Sequence, residues 1–138
     1  MNQDCVFCLI IKGTLPSEKV FEDDSVFAFL DIHPVNLGHT LVIPKAHHED
    51  IFTTPPALFL SMMRVAQLLA PHIKAATGAE GINIGMNNGR AAGQLVFHAH
   101  IHVIPRFTRD GHKHWAATSY KDGEAVALGT KIREQNGG

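Results

Sequence analysis

Three histidines stand at alternate positions in the segment His98-Ala99-His100-Ile101-His102-Val103-Ile104. In a strand, successive side chains point to opposite faces, so the three imidazoles share one face and Ala99, Ile101 and Val103 share the other. The rise of a strand spaces successive rings about 6.6 Å apart. An imidazole titrates near neutrality, so one ring can be neutral and nucleophilic while its neighbours donate. That combination suits a phosphoryl centre, which needs a nucleophile on phosphorus and donors on its non-bridging oxygens. Three imidazoles equally suit a transition metal, and spacing alone does not separate the two chemistries. A purely structural stripe is the third reading, and three histidines at period two on an otherwise apolar strand argue against it.

Two cysteines, Cys5 and Cys8, offer a second kind of chemistry. On a helix they lie on one face at i, i+3 and can share an ion, although a tetrahedral site needs two more ligands. They can also simply be core, since a free cysteine behaves as a small hydrophobe. They are too few for a disulfide scaffold, and the βαβ context of a thioredoxin-like redox motif is missing. The loop Asn87–Gly93, NNGRAAG, is Gly-rich but lacks the Walker pattern and precedes no helix, so by itself it is a turn.

The elements that must position these residues are legible from patterning. Residues 5–12, CVFCLIIK, read as a short helix stopped by Gly13. Lys19–Glu22 and Ser25–Leu30 read as a hairpin turning at Asp23-Asp24. Pro34–Gly38 is a loop, and Thr40–Ile43 a third strand ended by Pro44, which cannot donate to a ladder. Thr54 before Pro55-Pro56 signals a helix start, and Leu58, Met62, Val65, Leu69 and Ile73 keep helical spacing through Ala57–Ala76, closed by Gly78. Pro71 is expected to kink or shorten that helix. Gly81–Met86 is a fourth strand, and Val96–Ile104 a fifth, ended by Pro105. A short tail helix is expected from about Gly123 to Arg133. Strands, one main helix and more strands predict a single α+β domain over 1–138 with a largely antiparallel sheet, a core near 5–107 and a tail over 108–138.

Composition narrows the partners. The chain has 138 residues, 45% of them hydrophobic, and a formal net charge of −1. That is enough for one core. It is the wrong balance for coating nucleic acid, which takes a basic surface, but it leaves room for a mononucleotide pocket. Nothing approaches a bilayer-spanning apolar run, and the start lacks the basic n-region of a secretory signal. The reading is a cytoplasmic protein with no membrane partner.

The segment His98-Ala-His100-Ile-His102-Val-Ile resembles the signature of the histidine-triad family, His-φ-His-φ-His-φ-φ, where φ is apolar. Gly38-His39-Thr-Leu-Val-Ile-Pro-Lys45 is similar to the family's third-strand motif. Phe29-Leu-Asp31-Ile32 before Pro34 is similar to its nucleoside strand, and Asn87 and Gly93-Gln94 fall at matching places before the triad. Cys5-Val-Phe7-Cys8 resembles prokaryotic members. The likeness covers roughly residues 5–107, in order.

The resemblance implies a five-stranded antiparallel sheet per subunit with a main helix and a short N-terminal helix, and a homodimer with a ten-stranded sheet. It implies attack of His100 on the α-phosphorus of a purine nucleotide and hydrolysis of the nucleotidyl-histidine, with no catalytic cofactor. His102 would bond the phosphate near the scissile bond, His98 would orient the other two, and His39 would complete the cluster. Asn87 and Gln94 would donate to phosphate oxygens, Asp31 would accept from the ribose hydroxyls, and Phe7, Ile10, Phe29 and Ile32 would sandwich the base. Read singly, these apolar residues are equally well core. A structural zinc would take Cys5, Cys8, His98 and His47, with His48 the competing ligand. Leu95 departs from the hydroxyl residue usual after the glutamine, and leucine neither donates nor accepts there.

Three functions follow. A nucleoside phosphoramidase releases an amine, and the ordinary tail after Arg106 leans to it. A dinucleoside polyphosphate hydrolase expels a phosphate. A non-catalytic nucleotide- or zinc-binding module would not need His100.

Overall fold

The computed structural model describes residues 2–137. Helix α1 (Val6–Lys12) comes first, then strands β1 (Lys19–Glu22), β2 (Val26–Leu30) and β3 (Thr40–Pro44), and helix α2 (Pro56–Thr77). Strand β4 (Gly81–Gly85), a 3₁₀ turn at Arg90–Ala92, strand β5 (Ile101–Arg106) and helix α3 (Glu124–Gln135) follow. The five strands form one antiparallel sheet in the order β1-β2-β3-β5-β4. None of the described helices is long and apolar enough to cross a membrane.

Period-two alternation gives the sheet two different faces. On one, Val26, Ala28, Val42, Ala99, Ile101 and Val103 pack against Met62, Val65, Ala66, Leu69 and Ile73 of α2. On the other, Phe27, Phe29, Leu41 and Ile43 pack against Cys5, Phe7 and Cys8 at the start of α1. Covered on both sides, β2 and β3 are buried almost throughout. The histidines belong to the α1 face.

Helix α2 runs unbroken through Pro71. The ring removes one N–H and frees the carbonyl of Gln67, which is exposed and can turn to solvent. Thr54 does not cap the helix, because its hydroxyl donates to the Asp50 carbonyl at 2.6 Å and Pro55 takes the cap position.

The fifth strand is displaced from its expected range. Pairing of β3 with β5 stops at Val42↔Ile101. Continuing it would bring Pro44 opposite Ala99, but Pro44 has no N–H, and its carbonyl accepts from the His98 ring at 2.7 Å. Residues 98–100 therefore lie outside the ladder, after a bend over 96–98, although their side chains still go to opposite faces: Ala99 lies in the α2 core and its N–H donates to the His48 carbonyl at 2.7 Å. Pro105, expected to end the strand, sits inside it. Its carbonyl accepts from Asn36 Nδ2 at 2.8 Å, on the side where β3 has already ended at Thr40. A strand residue's nitrogen points the same way as its carbonyl, so the missing N–H costs no ladder bond.

Gly38, entering β3, has φ +99° and lies against Thr77, whose Cγ2 would stand 2.5 Å from any added Cβ. Only glycine fits this turn, and the next residue is His39.

Candidate active site

His100 is buried just before β5, its ring edge-on to Phe7 with centroids 5.2 Å apart. Its Nδ1 lies 2.8 Å from the His98 carbonyl. A carbonyl only accepts, so Nδ1 carries the proton and Nε2 keeps its lone pair. Burial lowers the ring's pKa, against a smaller opposing effect of the His98 bond, and favours the neutral form. The result is an uncharged, oriented ring whose Nε2 lone pair is free.

The state of His102 is set by a chain of contacts. The Val35 N–H donates to His39 Nδ1 at 3.0 Å. His39 is therefore protonated at Nε2, which faces His102 Nδ1 at 2.9 Å. His102 accepts there and carries its own proton on Nε2. That Nε2 is buried and unpartnered among the described residues. A donor left so in a buried site is an expensive arrangement unless a ligand completes it. Burial pushes His102 down to about 4, helped by the neighbouring His100 and His39 rings. His39 is also lowered, chiefly by burial, with Asp31 opposing. Asp31 Oδ2 stands 3.8 Å from His39 Nε2, a polar contact to a neutral ring and not an ion pair.

A cavity of about 580 Å³ opens in front of these rings. Phe7, Ile10, Phe29, Ile32, Leu41 and Val96 are among its apolar lining residues, and Asp31, Asn87, His39, His100 and His102 among its polar ones. Phe7 and Phe29 are buried and meet edge to face at 5.5 Å, Ile10 is half-buried, and Ile32 is 79% exposed at the rim. Leu41, Val96 and the Val35 amide were not singled out from sequence. An apolar strand residue and a backbone N–H carry no signal of their own.

Gln94 takes another part than the one expected. Its amide group donates to the carbonyls of Glu49 at 2.6 Å and Val96 at 3.0 Å, and its Oε1 accepts from the Gly89 N–H at 2.8 Å. Both amide hydrogens are taken, so the buried side chain fastens the Asn87–Gly93 loop and has none left for a phosphate. Leu95 beside it is 89% exposed and lines the cavity mouth.

His98 turns away from the cavity. Its Nδ1 lies 3.4 Å from Cys5 Sγ and 3.6 Å from Cys8 Sγ, and Cys8 Sγ lies 3.3 Å from His47 Nδ1. The four ligand atoms lie within 4.8 Å of one another. A tetrahedral zinc with two sulfurs and two nitrogens spaces them about 3.6 Å apart, so the set fits a structural ion. His98 Nε2 donates to the Pro44 carbonyl, which leaves Nδ1 free to ligate. His47 is in the cluster and His48 is not. Burial pushes the Cys5 thiol up and His98 down to about 4, each toward its neutral form. Asp31, His39 and His102 also converge, but the facing nitrogens of the two rings are engaged with each other. The three triad rings thus share no single metal. One faces the cysteines, one the cavity, and one His39.

Residues 12–109 match the HIT domain family. The chain is 44% identical over 139 residues to adenylylsulfatase HINT3 of Arabidopsis thaliana, covering 96% of this chain and 70% of that protein. Its fold is similar to the crystal structure of a HIT family member from Bacillus subtilis (TM-score 0.89, 40% identity, 96% of each chain covered). It is also similar to a Zn-bound histidine triad family protein from Mycobacterium smegmatis (TM-score 0.77, 35% identity, 98% of each covered). With the match spanning the sheet and the site alike, this chain belongs to the HIT family, a superfamily of nucleotide hydrolases and transferases.

Proposed function

We propose that the protein hydrolyses a purine nucleotide at its α-phosphorus through a nucleotidyl intermediate on His100. The observation that carries this reading is the pairing of two neighbouring ring nitrogens with opposite roles. His100 Nε2 has a free lone pair, and His102 Nε2 has a proton with no partner. His100 Nε2 bonds to phosphorus as the bond to an amine nitrogen or a phosphate oxygen breaks. Water then adds to phosphorus, the electron pair returns to Nε2, and a nucleoside monophosphate leaves.

The His102 proton bonds a phosphate oxygen or the leaving atom, where charge builds up. Asp31 binds the ribose hydroxyls, Asn87 a phosphate oxygen, and the apolar lining of the cavity the base. His98 supports His100 through its carbonyl. Cys5, Cys8, His47 and His98 hold a structural zinc, in keeping with the Zn-bound relative. The protein acts in the cytoplasm as a homodimer, and the free edge strand β4, with Ile84 43% exposed, is the edge for a second sheet.

The test is trapping. The protein is mixed with a nucleoside phosphoramidate and, separately, with a dinucleoside polyphosphate, quenched rapidly, and read by mass spectrometry. A nucleotide mass on the peptide carrying His100 is expected, and His100→Ala should lose it together with more than about 10⁴-fold of turnover. Full turnover in that variant would leave a non-catalytic or metal-binding role for the triad. A loss of only about 10²-fold would indicate proton transfer without a covalent step.

A further inference from the structure

The proton left unpartnered on His102 Nε2 depends on a single peptide N–H. His39 Nε2 and His102 Nδ1 stand 2.9 Å apart with one proton between them. Two neutral arrangements are open to such a pair. In one, His39 donates and the outer nitrogen of His102, Nε2, carries a proton. In the other, both rings are protonated at Nδ1, His102 donates, and its Nε2 holds a lone pair. The Val35 N–H, 3.0 Å from His39 Nδ1, excludes the second, which would set two donors head to head.

Val35 lies in a stretch with little to hold it. Residues 32–37 belong to no strand or helix, and all of them but Asn36 are exposed. Asn36 is half-buried and spends both hydrogens of its amide group, on the Pro105 carbonyl at 2.8 Å and on Asp110 Oδ2 at 2.9 Å. Its own carbonyl accepts from the His39 N–H at 3.0 Å. The Pro105 carbonyl is open because β3 has ended beside it, so Asn36 stands in for the missing strand.

Asp110 fixes the other end of this clamp. Its side chain is 6% exposed. Besides Asn36 it accepts from Arg106 Nε at 2.7 Å and Nη2 at 3.1 Å, and from the N–H groups of Phe107 at 3.1 Å and His112 at 3.0 Å. Arg106 Nη1 reaches Asn83 Oδ1 on β4 at 2.6 Å, so the turn after β5 is tied to two strands. Four of the five donors belong to that turn or its base. The fifth, Asn36, comes from 74 positions away. The His112 ring closes the circuit on the Val35 carbonyl at 3.0 Å.

We infer that Asn36 and Asp110 are positioning residues, which hold the Val35 N–H on His39 Nδ1 and thereby decide that His102 carries its proton on Nε2. Neither lines the cavity in front of His100. Both act through the Val35 peptide, at the far end of a relay that runs from Asp110 through Asn36, Val35 and His39 to His102. Their effect on turnover rests on the reading that this proton bonds the substrate's phosphate. Their effect on the two rings does not.

The experiment reads the tautomers directly, by nitrogen NMR of the full chain with isotope-labelled histidine at about pH 8, where both rings are neutral. The wild type should show His39 and His102 in the Nε2–H form. Val35→Pro deletes the donor itself and should move both rings toward the Nδ1–H form. Asn36→Ala and Asp110→Asn should move them the same way, the ratio changing by about tenfold, the worth of one hydrogen bond. Two clamp variants are used so that one still decides if the other does not fold. On a nucleoside phosphoramidate, kcat/KM should fall in proportion to the fraction of His102 still protonated at Nε2. Clamp variants that lose stability but keep the wild-type tautomers, or lose rate without a change of tautomer, would overturn the inference. Unmoved rings in Val35→Pro would do the same. If the rings shift as expected and the wild type forms no adduct on His100, the positioning stands and the hydrolytic reading falls.

Discussion

The two faces of the sheet solve the same packing problem by different means. Under α2, side chains from β2, β3, β5 and Ala99 meet Met62, Val65, Ala66, Leu69 and Ile73, and hydrocarbon contact alone closes the layer. Under α1, apolar strand residues share the space with His39, His98 and His100, which are as deeply buried. Each of those polar atoms needs a partner: the Pro44 carbonyl for His98, the His98 carbonyl for His100, the Val35 amide for His39. The α2 face depends on volume and the α1 face on satisfied polar atoms, and among the described residues one buried side-chain atom, His102 Nε2, is left without a partner.

That contrast breaks most sharply at Met62, which is fully buried on the dry face. Met62→Ala should destabilise the fold by about 3–4 kcal/mol in denaturant titration. The kcat of the folded fraction should stay within about twofold. A larger loss of kcat would mean that the two faces are not separable. Next in size, removal of metal should act on the α1 face alone. A chelator should lower stability by about 3 kcal/mol under conditions where free metal had stood a hundredfold above its Kd. Cys8→Ala, already without a full ligand set, should show no such response. If the wild type melts identically with and without chelator and metal analysis finds no zinc, the cluster is a packing feature.

The smallest effect is that of pH. His102 is held at about 4 and His39 is lowered, both chiefly by burial, against about 6.5 for a histidine in the unfolded chain. Above pH 6.5 both states are neutral there and the rings contribute no pH dependence. As pH falls, the unfolded chain takes up protons first, so stability drops between about 6.5 and 4 and levels off below. Between pH 7 and 5.5 the His102 part is on the order of 1 kcal/mol. In His102→Gln the acid slope should flatten. An unchanged slope would place the titrating groups elsewhere.

Local patterning carried the element order. Gly and Pro punctuation, helical spacing in α2 and alternation in the strands place most boundaries within one or two residues, because those signals act over neighbours in the chain. The ends of β5 did not follow, since what decides them lies across the sheet. A strand needs a partner with free N–H and C=O groups, Pro44 lacks the first, and His98 occupies the second. Pro105 is tolerated because β3 has run out beside it.

Three histidines at period two determined by themselves that imidazoles would crowd one face of one extended segment, because alternation is a property of the backbone alone. Which ring would serve which purpose was a tertiary decision. His98 faces the cysteines of α1, 90 or more positions away, while His102 finds His39, 63 positions away. The protonated nitrogen of each ring follows from the partner packed against it. Gln94 shows the same rule: an amide is read from sequence as a donor, but only the folded loop decides which carbonyls take its hydrogens first.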